Sequence, residues 1–132
     1  MLQFTVRTNS KFEMLDITGK LRDIIGESKI KNGICHVFIP HTTAAVTINE
    51  NADPDVPRDL IAGLDRLVPL GGDYRHGEGN AAAHIKSSLL GVSKAVFIEN
   101  GALILGTWQS IFFCEFDGPR SRKVLVKLVP TE

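Results

Sequence analysis

The dipeptide Asn100-Gly101 constrains this chain more than any other short string. Both residues tolerate positive φ, which the two central positions of a type I′ turn require, and that turn joins antiparallel strands with the correct twist. Residues 94–99 precede it and residues 102–105 follow it, both rich in apolar side chains. The stretch therefore reads as a β-hairpin, and an antiparallel sheet is the frame for everything else. Residues 107–116 read as a long strand, Gly118-Pro119 as a turn, and 122–129 as a final alternating strand.

Upstream, Leu2, Phe4 and Val6 alternate with Gln3, Thr5 and Arg7, the pattern of a half-buried strand over 2–8. Residues 12–16 extend that strand or begin a second short one. Residues 16–28 follow a helical period, with Ile17, Leu21, Ile24 and Ile25 on one face and Asp16 or Thr18 near the start. Asn32-Gly33 turns the chain into a strand over 34–39, stopped by Pro40. A further strand over 42–49 has two unlike faces: Thr43, Ala45, Thr47 and Asn49 on one, Ala44, Val46 and Ile48 on the other. His41 is in phase with the small, polar face.

Asp53-Pro54 opens a helix over about 54–68, striped by Leu60, Ile61, Leu64 and Leu67. Residues 70–79 contain Gly71, Gly72, Gly77 and Gly79 and form a loop. A helix follows over about 80–90, closed by Gly91. The order β-α-β-β-α-loop-α-β-β-β-β predicts a single α+β domain over residues 1–132, mainly antiparallel, with about three helices. So many strands make the sheet curl or split into two layers.

Fifteen Lys+Arg balance fifteen Asp+Glu. Zero net charge gives no bulk attraction to nucleic acid or an anionic membrane, and little repulsion against self-association. No apolar run approaches the roughly 20 residues of a membrane helix, and no secretion signal is visible at the start. Cys35 and Cys114 lie in apolar strand runs, which reads as buried free thiols of a cytoplasmic protein.

Histidine is the first chemical lead. His36 reads as a packed core residue of its strand. His41, His76 and His84 fall in or beside irregular segments, where functional residues gather. Three imidazoles plus an open position would make a catalytic zinc site; the alternative is three polar histidines that hydrogen-bond a substrate in one cleft. The second lead is Gly77-Glu78-Gly79-Asn80 at a helix start, where backbone N–H groups can hold phosphate, or which simply forms a tight turn feeding a cap. Arg75 and Arg120 would add bidentate donors, unless the Arg120, Arg122, Lys123 cluster is a solvated basic turn. The third lead is Glu115, in phase with Ile111 and Phe113. A carboxylate there is either a paired structural acid or an acid/base group. Glu50, Asp53 and Asp55 form a short acidic group after the polar strand face, either part of the same lead or caps of the 54–68 helix, the role that suits Asp55. Trp108 is either an aromatic wall for a planar ligand or a packing residue.

Several strings occur together: His41-Thr-Thr-Ala-Ala, Asn49-Glu-Asn-Ala-Asp-Pro-Asp-Val, and Asp73-Tyr-Arg-His-Gly-Glu-Gly-Asn-Ala-Ala-Ala-His84. Ser87-Ser-Leu-Leu-Gly, Leu105-Gly-Thr-Trp-Gln and Phe113-Cys-Glu-Phe-Asp-Gly-Pro-Arg follow. Over nearly its whole length the chain resembles the YjbQ-like family, often labelled secondary thiamine-phosphate synthase. The resemblance implies a β-sandwich or barrel-like sheet, a homotrimer, and weak joining of an aminopyrimidine diphosphate to a thiazole phosphate. It implies His41, Asn49, His76, Asn80, His84, Glu115 and Arg120 as the shared site.

Three readings follow. In the first, an enzyme acts on a small phosphorylated substrate. Gly77, Gly79, Asn80, Asn49 and Arg120 hold the ligand, and His76, His84 and Glu115 serve the chemistry, with a divalent zinc or magnesium ion as candidate cofactor. In the second, a zinc hydrolase uses His41, His76 and His84. In the third, a trimeric module binds a small ligand or metal without catalysis.

Overall fold

In the computed structural model, which describes residues 1–131, the strands divide between two sheets. The larger sheet has the order β1 (Leu2–Arg7), β8 (Ser121–Pro130), β3 (Gly33–Phe38), β5 (Ser93–Glu99) and β6 (Ala102–Leu103). The smaller has the order β2 (Glu13–Asp16), β7 (Gln109–Glu115) and β4 (Ala44–Glu50). Every pairing is antiparallel. The helices are α1 (Thr18–Ser28), α2 (Asp55–Leu67) and α3 (Ala81–Leu90). The expected α+β class, three helices and antiparallel layers are those found.

The hairpin forms as its turn residues require. Asn100 and Gly101 have φ of 51° and 77°, and Glu99 pairs with Ala102 across them. One core lies between the sheets: Val37, Val96, Val124 and Val126 meet Val46, Ile111 and Phe113, with Leu21 and Ile25 of α1 in the same cluster. Each such side chain contributes about 1.5–3 kcal/mol on full burial. A second cluster, Ala45, Ala83, Phe112, Cys114 and Phe116, lies on the other face of the small sheet. β7 is thus covered on both faces, which explains its unbroken apolar run.

Local corrections follow from strand phase. His36 is not a core residue: it is exposed, flanked across the ladders by Ala95 and Lys127. Cys35 and Val37 take the inward phase of β3, so Ile34, His36 and Phe38 point outward. β4 begins at Ala44, leaving Thr42 and Thr43 in the preceding connection. β7 begins at Gln109, and Trp108 is 63% exposed rather than packed in the core. Both cysteines are free and buried; burial pushes the Cys35 thiol up to about 11 and the Cys114 thiol up to about 12. Neither is a thiolate near neutrality.

Two sets of hydrogen bonds place what matters for the site. Helix α3 is stapled to β4, since Ser87 Oγ donates to the Ala44 carbonyl at 2.6 Å and Val46 N–H donates to the Gly91 carbonyl at 3.1 Å. The turn between β7 and β8 is tied to the end of β1, where Thr8 N–H donates to the Arg120 carbonyl at 3.0 Å. Gly118 in that turn admits no side chain: a Cβ there would lie 2.3 Å from the Ser10 carbonyl oxygen.

Candidate functional site

The site is built on a buried ion pair. Arg122 reaches across from β8 and grips Glu115 of β7 with both Nε and Nη2; the Nε–Oε1 distance is 2.8 Å. The same Nη2 donates to the Thr43 hydroxyl at 3.0 Å and the Thr43 carbonyl at 3.2 Å. Glu115 also accepts the Thr8 hydroxyl at 2.8 Å and the Asp117 N–H at 3.0 Å. Burial works to raise the Glu115 pKa, but the hydrogen bonds from Arg122, Asp117 and Thr8 outweigh it and hold the carboxyl below its ordinary range. Of the two readings of Glu115, the geometry matches the paired acid. Both carboxylate oxygens are engaged and no part of the side chain is exposed, so it stands behind the site rather than in it.

In front of that pair opens a polar cleft of about 500 Å³, within the roughly 300–1,000 Å³ of small-molecule sites. Thr42, Thr43, Asp117 and Arg120 line one side, with Lys11 from the β1–β2 connection. Glu78, Gly79, Asn80 and His84 line the other, at the start of α3. That helix has no side-chain N-cap and no acid in its first turn, so its first backbone N–H groups and the positive end of its dipole face the cleft without a cap of their own. Asn80 forgoes capping and donates Nδ2 to Asp117 Oδ2 at 2.9 Å, while its Oδ1 is buried without a hydrogen-bond partner among the described residues. A second cleft of about 590 Å³ shares Thr42 and His84 and runs past His41, Ser87, Ser88 and Val92. His84 therefore stands where two arms of one groove meet.

The three histidines are near this groove but unequal. His76 and His84 stack edge to face with ring centroids 5.1 Å apart. His41 uses Nε2 to accept the Lys123 N–H at 2.9 Å. Its pKa is lowered by burial first and by the Arg122 and Arg120 charges, against an opposing pull from Glu115. An imidazole that accepts an amide proton on Nε2 carries its own proton on Nδ1. Among the described residues, no group of three or more His, Cys, Asp or Glu side chains is placed to hold a metal ion. The three-histidine zinc arrangement is thus not the geometry found.

Comparison with known proteins decides the family. The family described as "UPF0047 protein YjbQ-like" matches residues 2–131. The UPF0047 protein MJ1081 of Methanocaldococcus jannaschii is 50% identical over 129 residues, covering 98% of this chain and 94% of that protein. The UPF0047 protein YugU of Bacillus subtilis is 50% identical over 125 residues, covering 94% and 95%. The chain belongs to the YjbQ-like UPF0047 family. The crystal structure of a YjbQ/UPF0047 protein of Clostridium acetobutylicum superposes with a TM-score of 0.96 at 52% identity, covering 98% of this chain and 100% of that one. A YbjQ-like protein of unknown function from Sulfolobus solfataricus gives a TM-score of 0.94 at 34% identity, covering 98% and 95%.

Within this YjbQ-like chain the expected residues separate into three groups. Gly79, Asn80, His84 and Arg120 line the cleft together; His41 lines its second arm and His76 adjoins His84. Gly77 sits in the same loop but does not line the cleft, and only Gly79 there needs positive φ, at 80°. Asn49 is not at this site. It accepts the Glu50 N–H with its own Oδ1, and it lies six residues along β4 from Thr43, about 20 Å at ~3.3 Å per residue. The basic run also divides: Arg122 is buried, Arg120 faces the cleft and Lys123 faces out. Lys11, Thr42, Thr43 and Asp117 were not singled out by sequence reasoning. Asp117 stood inside a family string, but Lys11 carries no local signal. No helix among the described residues is long and apolar enough to cross a membrane.

Proposed function

We propose that this chain binds a small phosphorylated molecule in the cleft at the start of α3, and that His84 moves a proton there in a group-transfer reaction. The observation that carries the proposal is the convergence of Lys11, Arg120 and the uncapped α3 N-terminus on one cleft that His84 also lines. Phosphate needs charged and backbone donors together, and this combination supplies them. The resemblance to secondary thiamine-phosphate synthases makes the joining of an aminopyrimidine diphosphate to a thiazole phosphate the specific reaction. Arg120, Lys11 and the helix start stabilise the departing pyrophosphate, and the two arms of the groove hold the two reactants on either side of His84.

Turnover of the two thiamine precursors tests this. His84→Ala and Arg120→Gln should each lower it at least ~10-fold if these residues act in the transition state. Unchanged turnover in well-folded variants overturns the roles. Thermal-shift stabilisation by phosphorylated metabolites without conversion of any of them leaves a non-enzymatic binding module.

The assembly we propose is a cytoplasmic homotrimer, without nucleic-acid or membrane partners. Support for association comes from the outer face of the large sheet, where Phe38, Phe97 and Val129 are exposed together with Ile34 at intermediate exposure. The two free buried thiols suit a reducing compartment. Light scattering that finds only monomer at micromolar concentration contradicts the trimer.

A further inference from the structure

Three side-chain donors of the cleft, Lys11, Asn80 and Arg120, are already engaged by one carboxylate. Asp117 Oδ1 accepts Lys11 Nζ at 3.4 Å, and Oδ2 accepts Asn80 Nδ2 at 2.9 Å and Arg120 Nη2 at 3.1 Å. The Asp117 side chain is 13% exposed and lines the same cleft as its three donors. It is a built-in anion placed on the groups that an incoming phosphate would use.

Arg120 does not depend on that carboxylate for its position. Its Nε donates to the Asp117 backbone carbonyl at 2.9 Å, and its own N–H donates to the Thr8 hydroxyl at 2.9 Å. The turn backbone is held separately, by the Asp117 N–H to Glu115 and the Gly118 N–H to the Lys11 carbonyl at 3.1 Å. The Asp117 charge can therefore be removed while Arg120 and the turn backbone stay where they are.

We infer that Asp117 sets a charge threshold for the cleft: its carboxylate already satisfies the donors as a monoanion would, so only a ligand with two or more negative charges, a phosphomonoester or a diphosphate, takes them over. The inference rests on the reading of the cleft as a phosphate site. A free monoanion offers Lys11 and Arg120 nothing that Asp117 does not, and Asp117 is tethered at high effective concentration. A dianion or polyanion brings at least twice the charge to the same two cations and to the α3 N-terminus.

Isothermal titration of inorganic pyrophosphate, in chelator at fixed ionic strength, tests this on wild type, Asp117→Asn and Lys11→Gln. Asparagine keeps the size and one acceptor oxygen, removes the charge and turns the other oxygen into an NH2 donor. Asp117→Asn should bind pyrophosphate at least ~10-fold more tightly and gain measurable acetate binding. Lys11→Gln should weaken pyrophosphate more in the Asp117→Asn background than in wild type, because in wild type part of what Lys11 gives the ligand is offset by its lost contact with Asp117. A merely structural Asp117 produces no such coupling. Equal or weaker pyrophosphate binding by a folded Asp117→Asn overturns the threshold. Asp117→Ser replaces it should the asparagine variant fold poorly. Wild type alone supplies a further arm: acetate that competes as well as phosphate overturns the inference without any variant. If no form of the protein binds pyrophosphate, the phosphate reading itself falls; if wild type binds and Asp117→Asn gains nothing, only the role of Asp117 falls.

Discussion

Two acid–arginine pairs are nested in the turn between β7 and β8. Glu115 pairs with Arg122, and two residues inside them Asp117 pairs with Arg120. The chemistry is the same, but the surroundings are opposite. The outer side chains are 0% and 2% exposed, whereas the inner ones are 13% and 49% exposed. The cause is topological. β7 and β8 belong to different sheets, so the outer pair spans the space between layers, while the tip of the turn emerges at the cleft. One pair holds the turn, and the other presents charge to a ligand.

Breaking the outer pair should have the largest effect. Arg122→Met leaves a buried carboxylate alone and should cost about 3–5 kcal/mol in urea unfolding. Combining it with Glu115→Leu should recover most of that loss, because two buried charges are then removed together. A loss below ~1 kcal/mol for Arg122→Met would erase the distinction between the pairs. The pH dependence has a definite sign. The folded-state Glu115 carboxyl titrates below its ordinary 4.5, so its contribution is complete above that value and is lost as pH falls through the lower folded-state pKa.

The inner pair should respond in the opposite sense. Arg120→Gln should change stability by less than ~1 kcal/mol, since the Arg120 side chain is half-exposed, yet weaken phosphate-ligand binding ~10-fold. A variant that unfolds instead would make both pairs structural.

His41 sharpens the comparison further, because it senses both arginines. Its lowered pKa means that the unfolded chain binds more protons between the folded value and the ordinary 6.5. Stability is therefore retained above 6.5 and falls as pH drops through that window. His41→Asn, which keeps an acceptor for the Lys123 N–H, should flatten that part of a melting-temperature profile. A profile identical to wild type would show that His41 does not titrate with folding. The smallest effect belongs to His36→Thr on the exposed face of β3, expected within about ±0.5 kcal/mol for the isolated chain. A loss above ~1 kcal/mol would place that face under cover.

Most of the fold was legible because its signals are local. The Asn100-Gly101 turn, the period of β1 and β8, and the helix stops at Pro69 and Gly91 each depend on a few neighbouring residues. The difference at His36 has a physical origin. His36 alternates with Ile34 and Phe38 as a core residue would, but Cys35 and Val37 in the other phase are the buried ones. Period two reports that a strand has two faces and leaves open which one meets a second layer. Asn49 shares a family string with the site residues, but β4 carries it six residues beyond Thr43, and it does not line the cleft.

The candidate site was half legible. His84, Asn80, Gly79 and Arg120 could be named because each sits at a helix start, a loop or a turn. Lys11 and Asp117 pair across 106 positions, and Thr8 and Glu115 across 107. Nothing in the residues between announces such a meeting. By itself the sequence determined the class of fold, the order of its elements and the segments that carry polar chemistry, since these follow from short-range periodicity and turn geometry. Only the tertiary structure decided that Glu115 is a sealed partner of Arg122 while Asp117 faces the cleft. That assignment depends on where two sheets meet and where water is excluded, which no local pattern encodes.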